Sequence, residues 1–472
     1  MTTTLRRLKL CSLPCLLLLC LTLPHLGQGD FRRDTGRYAA VGHYMWSGGH
    51  PGVPYLNPKT PYFNKPPLAL SIHGLFLKTF GISLVNARLP SVLAALGIVI
   101  LTMAAARQIG TRAEALASGF ILASTPEFVR RSREISLDMW QLLFIMAAVV
   151  LILTGLRRGN KWWIATAGVP LGLALLCKPL VALLVIPIAV GWCLWSKKTN
   201  FIPWLLLGAL PIALLVALPW HWHMYSLFGK PFLNQYFGKE VLDRARGLIL
   251  KQPVYYYVLE SLRTYWPWML LLVYAIVYRF QRTEHSREAR RDLVLLGLWW
   301  VAVMFVALSI FPDKKPNYAL PLFPMLSWVV GAGVCRLPWH KLRAWYQLEL
   351  RWLAPALTGI LLIVSIAPIQ FQKGPDKHWA SVLKWVSQNT AGSVFEAGLD
   401  YNDMCYFYLK TGQWLRRWPQ ELDANTMAGI FLLTRTNRTS EFLKDGLFHP
   451  AISAGSFVVL AHSVPAKNSE AE

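Results

Sequence analysis

A chain of 472 residues that is 54% hydrophobic and only 15% charged, with a mean hydropathy of +0.38, is not an ordinary soluble protein, in which about 25% of residues are charged. Lys and Arg number 48 against 24 Asp and Glu, a net charge of +24. They stand as pairs and triplets between apolar runs and not on a water-exposed module, which argues against a nucleic-acid partner and assigns the excess to cytoplasmic loops and to the anionic headgroups of a lipid bilayer.

Crossing the roughly 30 Å of hydrocarbon takes about 17 to 25 apolar residues. Such runs predict spans near 10–27, 88–106, 113–129, 139–156, 162–177, 179–196, 201–220, 266–280, 293–311, 318–335 and 352–370. Arg6, Arg7 and Lys9 precede the first run in the manner of a secretory signal, but no small-x-small cleavage site follows. The run is therefore read as a retained span with its N-terminus in the cytoplasm. The fifth and sixth spans form a hairpin interrupted at Cys177-Lys178-Pro179.

Eleven crossings place short basic segments on the cytoplasmic side: Arg107 and Arg112, Arg157 to Lys161, Lys197 and Lys198, Arg279 to Arg291, and Arg336 to Arg351. The opposite face receives residues 28–87, 130–138, 221–262 and 312–317, with everything after about 371. The tail is less apolar, is punctuated by Gly398 to Asp403, and carries short apolar runs at Ile430 to Leu433 and Phe457 to Leu460, the pattern of strands. The expected fold is an all-α polytopic membrane protein of about 11 transmembrane helices over 1–370, followed by a small α/β extracytoplasmic domain over 371–472. Of the seven cysteines, six lie in or beside apolar runs and none forms a CxxC, so they read as small buried apolar side chains.

The outer segments hold the candidate chemistry. Asp34 follows the first span closely, near Arg32, Arg33 and Arg37, where a carboxylate can serve as general base, as cation ligand, or as a solvated partner of arginine. Lys65 stands before Pro66 and Pro67, which preset the backbone for a helix start, and an ammonium at such an entrance can hold a phosphate. Arg130, Arg131 and Arg133 in one outer segment, with Lys314 and Lys315 in another, run against the positive-inside trend and suit either a donor phosphate or lipid headgroups. Lys178 sits at the outer end of the hairpin, placed to bind phosphate or to snorkel. Asp138 opens the fourth span on the same face, to orient an acceptor or to hold an arginine such as Arg133. His221 and His223 alternate in an outer loop but lack a third metal ligand.

The order Asp34-x-x-Arg37-Tyr38-Ala39, Tyr62-Phe63-x-Lys65-Pro66-Pro67-Leu68, Ala87-Arg88-Leu89-Pro90-Ser91, Ser132-Arg133, Asp138-Met139, Lys178-Pro179, Pro219-Trp220, Pro267-Trp268 and Lys314-x-Pro316-x-Tyr318 resembles the GT-C type membrane glycosyltransferases that use polyprenyl-phosphate sugars. That family includes the lipid A aminoarabinose transferases and the protein O-mannosyltransferases. The resemblance covers about the first 325 residues.

The resemblance implies a polyprenyl-phosphate-linked (undecaprenyl) sugar donor, inverting displacement at the anomeric carbon, Asp34 on the acceptor side, and Lys65 and Lys314 on the donor phosphate, with Tyr318 shaping the site. Arg37, Tyr38, Arg133 and Lys178 complete the expected substrate-binding set, and Asp138 is the second candidate catalytic carboxylate. Where the family pattern has an acidic pair, this chain has Asp34-Thr35, so a divalent metal is possible without being indicated. Neither a Gly-rich phosphate loop nor an Asp-x-Asp motif is present, consistent with a lipid-borne donor. The implied setting is the bacterial inner membrane, with the site and C-terminus facing the periplasm and an envelope glycolipid such as lipid A as acceptor. Transfer to protein hydroxyls, a lipid-linked-sugar flippase and a purely structural subunit are the rival readings. The absence of an internal repeat and the one-sided placement of polar groups weigh against a transporter.

Overall fold

The computed structural model describes residues 2–31, 33–243, 246–247, 251–281, 288–337, 377–389, 394–417, 430–444 and 447–462. Five helical segments among them are long and apolar enough to cross a membrane: Leu84–Ile109, Leu137–Arg158, Thr199–Phe228, Leu293–Ile310 and Pro316–Val334. Shorter apolar helices run over Ser12–His25, Val181–Trp195 and Trp266–Arg279. The chain is an integral membrane protein. The span expected at 352–370 lies outside the described residues.

In chain order, α1 (Thr2–Thr22) is followed by α2 (Arg33–Ser47), the hairpin β1 (Tyr55–Asn57) and β2 (Thr60–Pro61), and α3 (Pro67–Phe80). The segment 28–87, read from sequence as an outer loop, is therefore largely helical. Its helices of 15 and 14 residues are too short to span, so a search for long apolar runs passes over them. They cross so closely that a Cβ on Gly74 would lie 1.9 Å from the Gly42 carbonyl oxygen. Glycine at both positions is what lets the two backbones touch.

Next come α4 (Leu84–Ile109), α5 (Arg112–Ala123), α6 (Pro126–Ser132) and α7 (Leu137–Arg158). Their ends follow local chemistry. Ser83 caps α4, Thr111 and Glu114 form a capping box at α5, Ser136 caps α7, and Gly159 closes α7 in the left-handed region at φ 68°. The predicted hairpin is four short pieces, α8 (Lys161–Thr166), α9 (Gly168–Leu175), α10 (Pro179–Leu183) and α11 (Val185–Trp195), broken at Cys177-Lys178.

A π-helical stretch, Trp204–Ala209, runs into α12 (Leu210–Phe228). The expected loop 221–262 is again mostly helical, with α13 (Lys230–Leu233), a second π-helix at Asn234–Asp243 and α14 (Tyr256–Thr264). The helices α15 (Trp266–Gln281) and α16 (Glu288–Ile310), a 3-10 segment Pro316–Leu322 and α17 (Phe323–Val334) complete the described helical body. Its core joins Ile98, Met146, Trp300 and Trp328, with α17 packed between α5, α15 and α16.

The tail forms the small α/β unit expected from its apolar runs. Two helices, α18 (Lys377–Asn389) and α19 (Tyr401–Thr411), accompany strands β3 (Val394–Ala397), β4 (Arg416–Arg417), β5 (Phe431–Arg435), β6 (Phe448–Ala454) and β7 (Phe457–His462). The sheet order is β4-β3-β5-β7-β6, with β3 parallel to both neighbours and β7 antiparallel to both of its own. This unit rests on α2. Asp30, nearly fully buried, accepts from the Phe31 N–H and the Tyr406 hydroxyl and pairs with Lys410 at 3.0 Å. His43 and Tyr408 meet at 2.7 Å.

Candidate functional site

Three segments that are far apart in sequence meet at Asp138. Ser136 accepts from the Met139 N–H at 3.4 Å and gives its own N–H to the Ser91 hydroxyl at 3.0 Å, which anchors the start of α7 to α4. Asp138, in the first turn, then takes the Lys178 ammonium at 2.7 Å and the Asn317 amide at 2.7 Å, one on each oxygen. The Lys178 nitrogen also lies 4.2 Å from the centroid of the Tyr318 ring. Side chains of the pair are only 15% and 16% exposed, so the ion pair is shielded from solvent while still reachable from it. The partner expected for Asp138, Arg133, is elsewhere. Its guanidinium is buried and donates to the Leu21 carbonyl near the end of α1.

The second group comes from α2 and the start of α3. Asp34 is 57% exposed, and its carboxylate accepts from Arg37 at 2.9 Å. The Arg37 guanidinium also reaches Asn402 of α19, at 3.2 Å from Nε and 2.9 Å from the terminal nitrogen. Burial pushes the Tyr38 hydroxyl well above its ordinary range, reinforced by the charges of Tyr62, Asp34 and Asp138. Tyr38 therefore stays protonated. Burial likewise raises Tyr62, despite Arg37 and with the help of Glu240 and Asp34.

Lys65 stands immediately before α3, where Pro66 occupies the cap and Pro67 the first position, as the two prolines imply. The Leu68 N–H donates to the Leu176 carbonyl at 3.1 Å, which ties this helix entrance to the break carrying Lys178. Lys65 is paired with Glu240 at 2.5 Å, a partner 175 positions away that carries no motif.

The remaining cations are differently placed. Arg130 and Arg131, read from sequence as excess outer charge, are matched by Glu127 and Glu134 at 2.5 to 3.1 Å. Along α6 and the turn that follows it, the i,i+3 and i,i+4 spacings bring these four charges together. Lys314 is 2% exposed and donates to the Phe311 carbonyl at 2.7 Å and the Gln252 carbonyl at 3.4 Å, and desolvation lowers its pKa. His221 engages the Ala217 carbonyl at 2.9 Å and the Tyr236 hydroxyl at 3.2 Å. Among the described residues no three His, Cys, Asp or Glu side chains converge so as to hold a metal ion. Asp34, with Thr35 beside it and Arg37 on its carboxylate, offers one charged oxygen ligand, a poor fit for a divalent cation.

The structure thus joins Asp138, Lys178 and Tyr318 directly and links Lys65 to them through the Leu68–Leu176 bond, while Asp34 and Arg37 form a second group that reaches Asn402. Arg133 and Lys314 donate instead to backbone carbonyls. The residues not foreseen are Asn317, within the Lys314-to-Tyr318 motif, and Glu240 and Asn402, which have no local signal at all. Conjoined ammonium, phenol and carboxylate groups in a half-shielded setting can hold an anionic group and accept a proton from a neighbouring hydroxyl.

The chain is similar in sequence and in fold to known proteins. The family model for dolichyl-phosphate-mannose-protein mannosyltransferases matches residues 64–223. An undecaprenyl phosphate-alpha-4-amino-4-deoxy-L-arabinose arabinosyl transferase of Pseudomonas aeruginosa (strain UCBPP-PA14) is 26% identical over 363 residues, 74% of this chain and 64% of that protein. The chain therefore spans a little under two thirds of that relative's length. A crystal structure of ArnT from Cupriavidus metallidurans bound to undecaprenyl phosphate is similar with a TM-score of 0.74 at 18% identity, covering 95% of this chain and 97% of that one. The Archaeoglobus fulgidus oligosaccharyltransferase in its apo form is similar with a TM-score of 0.56 at 13% identity, over 92% of this chain and 70% of that one. In part of its sequence the chain is similar to the dolichyl-phosphate-mannose-protein mannosyltransferase family and to the aminoarabinose transferases, and its fold is similar to that of ArnT.

Proposed function

We propose that the protein is a membrane glycosyltransferase that moves a sugar from an undecaprenyl-phosphate-type carrier to an envelope glycolipid such as lipid A, on the periplasmic face of the bacterial inner membrane. The observation that carries this reading is the meeting of Asp138, Lys178 and Tyr318 from three distant segments, beside the helix entrance that bears Lys65. The curated relative named for an undecaprenyl-phosphate aminoarabinose substrate, and the ArnT structure bound to undecaprenyl phosphate, support the same donor class.

In the proposed step the bond between the anomeric carbon and the carrier's phosphate oxygen breaks, and an acceptor oxygen forms the new bond from the opposite side. Lys65 and Lys178 face the phosphate and stabilise the charge that grows on its leaving oxygen. In a partly water-excluded setting such fixed charges act more strongly than in bulk water. Asp34 stands on the acceptor side. It takes the proton of a hydroxyl acceptor, and for an already ionised phosphate acceptor it only orients. Asp138 holds Lys178 in place, and Arg37 sets Asp34 while joining it to the tail domain through Asn402. Lys314, engaged by the Phe311 and Gln252 carbonyls, braces the 312–317 segment.

The test is transfer from a panel of polyprenyl-phosphate sugars to two acceptor pools, envelope lipid extract and unfolded protein, followed by mass spectrometry. A mass gain in lipid A that Asp34→Asn abolishes supports the proposal. Gain in protein alone would replace the acceptor, and lipid translocation in vesicles without any transfer would replace the reaction.

A further inference from the structure

The Lys65 ammonium is already occupied. Glu240 lies 2.5 Å from it, and the two side chains are only 18% and 12% exposed, so the contact is a shielded ion pair. The neighbouring position is held as well, since the Asn64 side-chain oxygen Oδ1 accepts from the Gln235 amide Nε2 at 2.9 Å. Both partners come from one element, the π-helix Asn234–Asp243. In an α-helix of 3.6 residues per turn, positions five apart lie about 140° round the axis. The wider i→i+5 winding returns them towards one side, which lets Gln235 and Glu240 clasp Asn64 and Lys65 together. Aromatic contacts seat the clasp, with Phe63 5.6 Å from Phe232 and Phe232 stacked on Tyr236 at 5.3 Å.

We infer that Glu240 is an affinity-setting latch, a carboxylate that occupies the phosphate position on Lys65 and that the donor's phosphate must displace. The inference rests on the proposed role of Lys65 as a donor-phosphate ligand. A carboxylate and a phosphate oxygen present the same charge and acceptor chemistry to an ammonium. Both cannot approach Lys65 in a shielded site without mutual repulsion. The latch therefore weakens donor binding by the fraction of time it is closed, and it releases the spent carrier by closing again.

The experiment is native mass spectrometry of the purified full chain in detergent, titrated with undecaprenyl phosphate alone, for wild type, Glu240→Gln, Glu240→Asp and Lys65→Ala. Removing a competing state that is closed about 80–90% of the time lowers the apparent Kd about five- to tenfold, which is the expected result for Glu240→Gln. Glu240→Asp, with a shorter carboxylate, falls between Gln and wild type. In transfer assays Glu240→Gln lowers the KM for donor without raising kcat, a split that loss of a merely structural contact would not produce. If Lys65→Ala loses affinity while Glu240→Gln binds no more tightly than wild type, the latch is wrong and the donor reading stands. If Lys65→Ala binds as wild type does, the donor-phosphate role of Lys65 fails first, and the latch with it.

Discussion

Lys178 and Asp138, forty positions apart, are joined at 2.7 Å, and the ammonium also faces the Tyr318 ring at 4.2 Å. One lysine thereby links the break in the α9–α10 hairpin, the start of α7 and the Pro316–Leu322 segment. Neutralising one partner leaves the other shielded and unpaired. Asp138→Asn should lower stability by about 3 kcal/mol and abolish transfer. Asp138→Asn with Lys178→Met should regain most of the stability but none of the activity, as read by thermal unfolding in detergent beside a transfer assay. Recovery of activity in the double variant would show the pair to be structural only.

The crossing of α2 and α3 fixes the distance between the Asp34 and Lys65 elements. Gly74→Ala would drive a methyl into the Gly42 carbonyl, a backbone contact that no side-chain adjustment relieves. A loss of at least about 3 kcal/mol is expected, at the upper end of overpacking penalties. Gly52→Ala, where the added carbon meets nothing within 4 Å, is the control and should melt with wild type.

The tail domain is held through Asp30. Its carboxylate takes the Tyr406 hydroxyl, the Lys410 ammonium and the Phe31 N–H, so Asp30→Ala strands several donors at once. A loss of about 2 kcal/mol follows from buried groups left unsatisfied. Limited proteolysis should then cleave faster in the tail domain. Unaltered proteolysis would mean that the contacts of Arg37 and His43 with α19 suffice.

His73 on α3 is fully buried, with Nδ1 at 2.7 Å from the Ala87 carbonyl and Nε2 at 3.5 Å from the Ser91 hydroxyl. Burial lowers its pKa from the ordinary 6.5 to about 4. Between those values the unfolded chain binds the proton and the folded chain does not. Its contribution to stability is therefore complete above about pH 6.5 and is lost as pH falls towards 4. Melting temperatures measured across this window should fall for wild type and fall less steeply for His73→Gln. Parallel profiles would assign the acid sensitivity to other groups.

The membrane character and the small tail sheet were readable because long apolar runs and short strand-like runs stand out from their surroundings. Tyr318, Lys178 and Asp138 were readable as members of ordered motifs, although nothing in the sequence said that they touch. The helices α2 and α3 were not, since a search tuned to spans passes over short helices of mixed polarity. Arg130 and Arg131 looked like excess charge because 130–138 was taken as an outer loop. With 126–132 helical and a turn following it, Glu127 and Glu134 stand at pairing distance. Glu240 had no signal, because its partner lies 175 positions away and its place depends on π-helical winding.

In the proposed reaction this site cleaves a polyprenyl-phosphate sugar and passes the sugar on. The most direct measurement is to quantify, in one reaction with purified protein, the free polyprenyl phosphate released and the mass gained by the acceptor. Equal amounts of the two are expected, abolished together in Lys65→Ala and Asp34→Asn variants that remain folded. Release without acceptor gain, or full transfer by either variant, would contradict it.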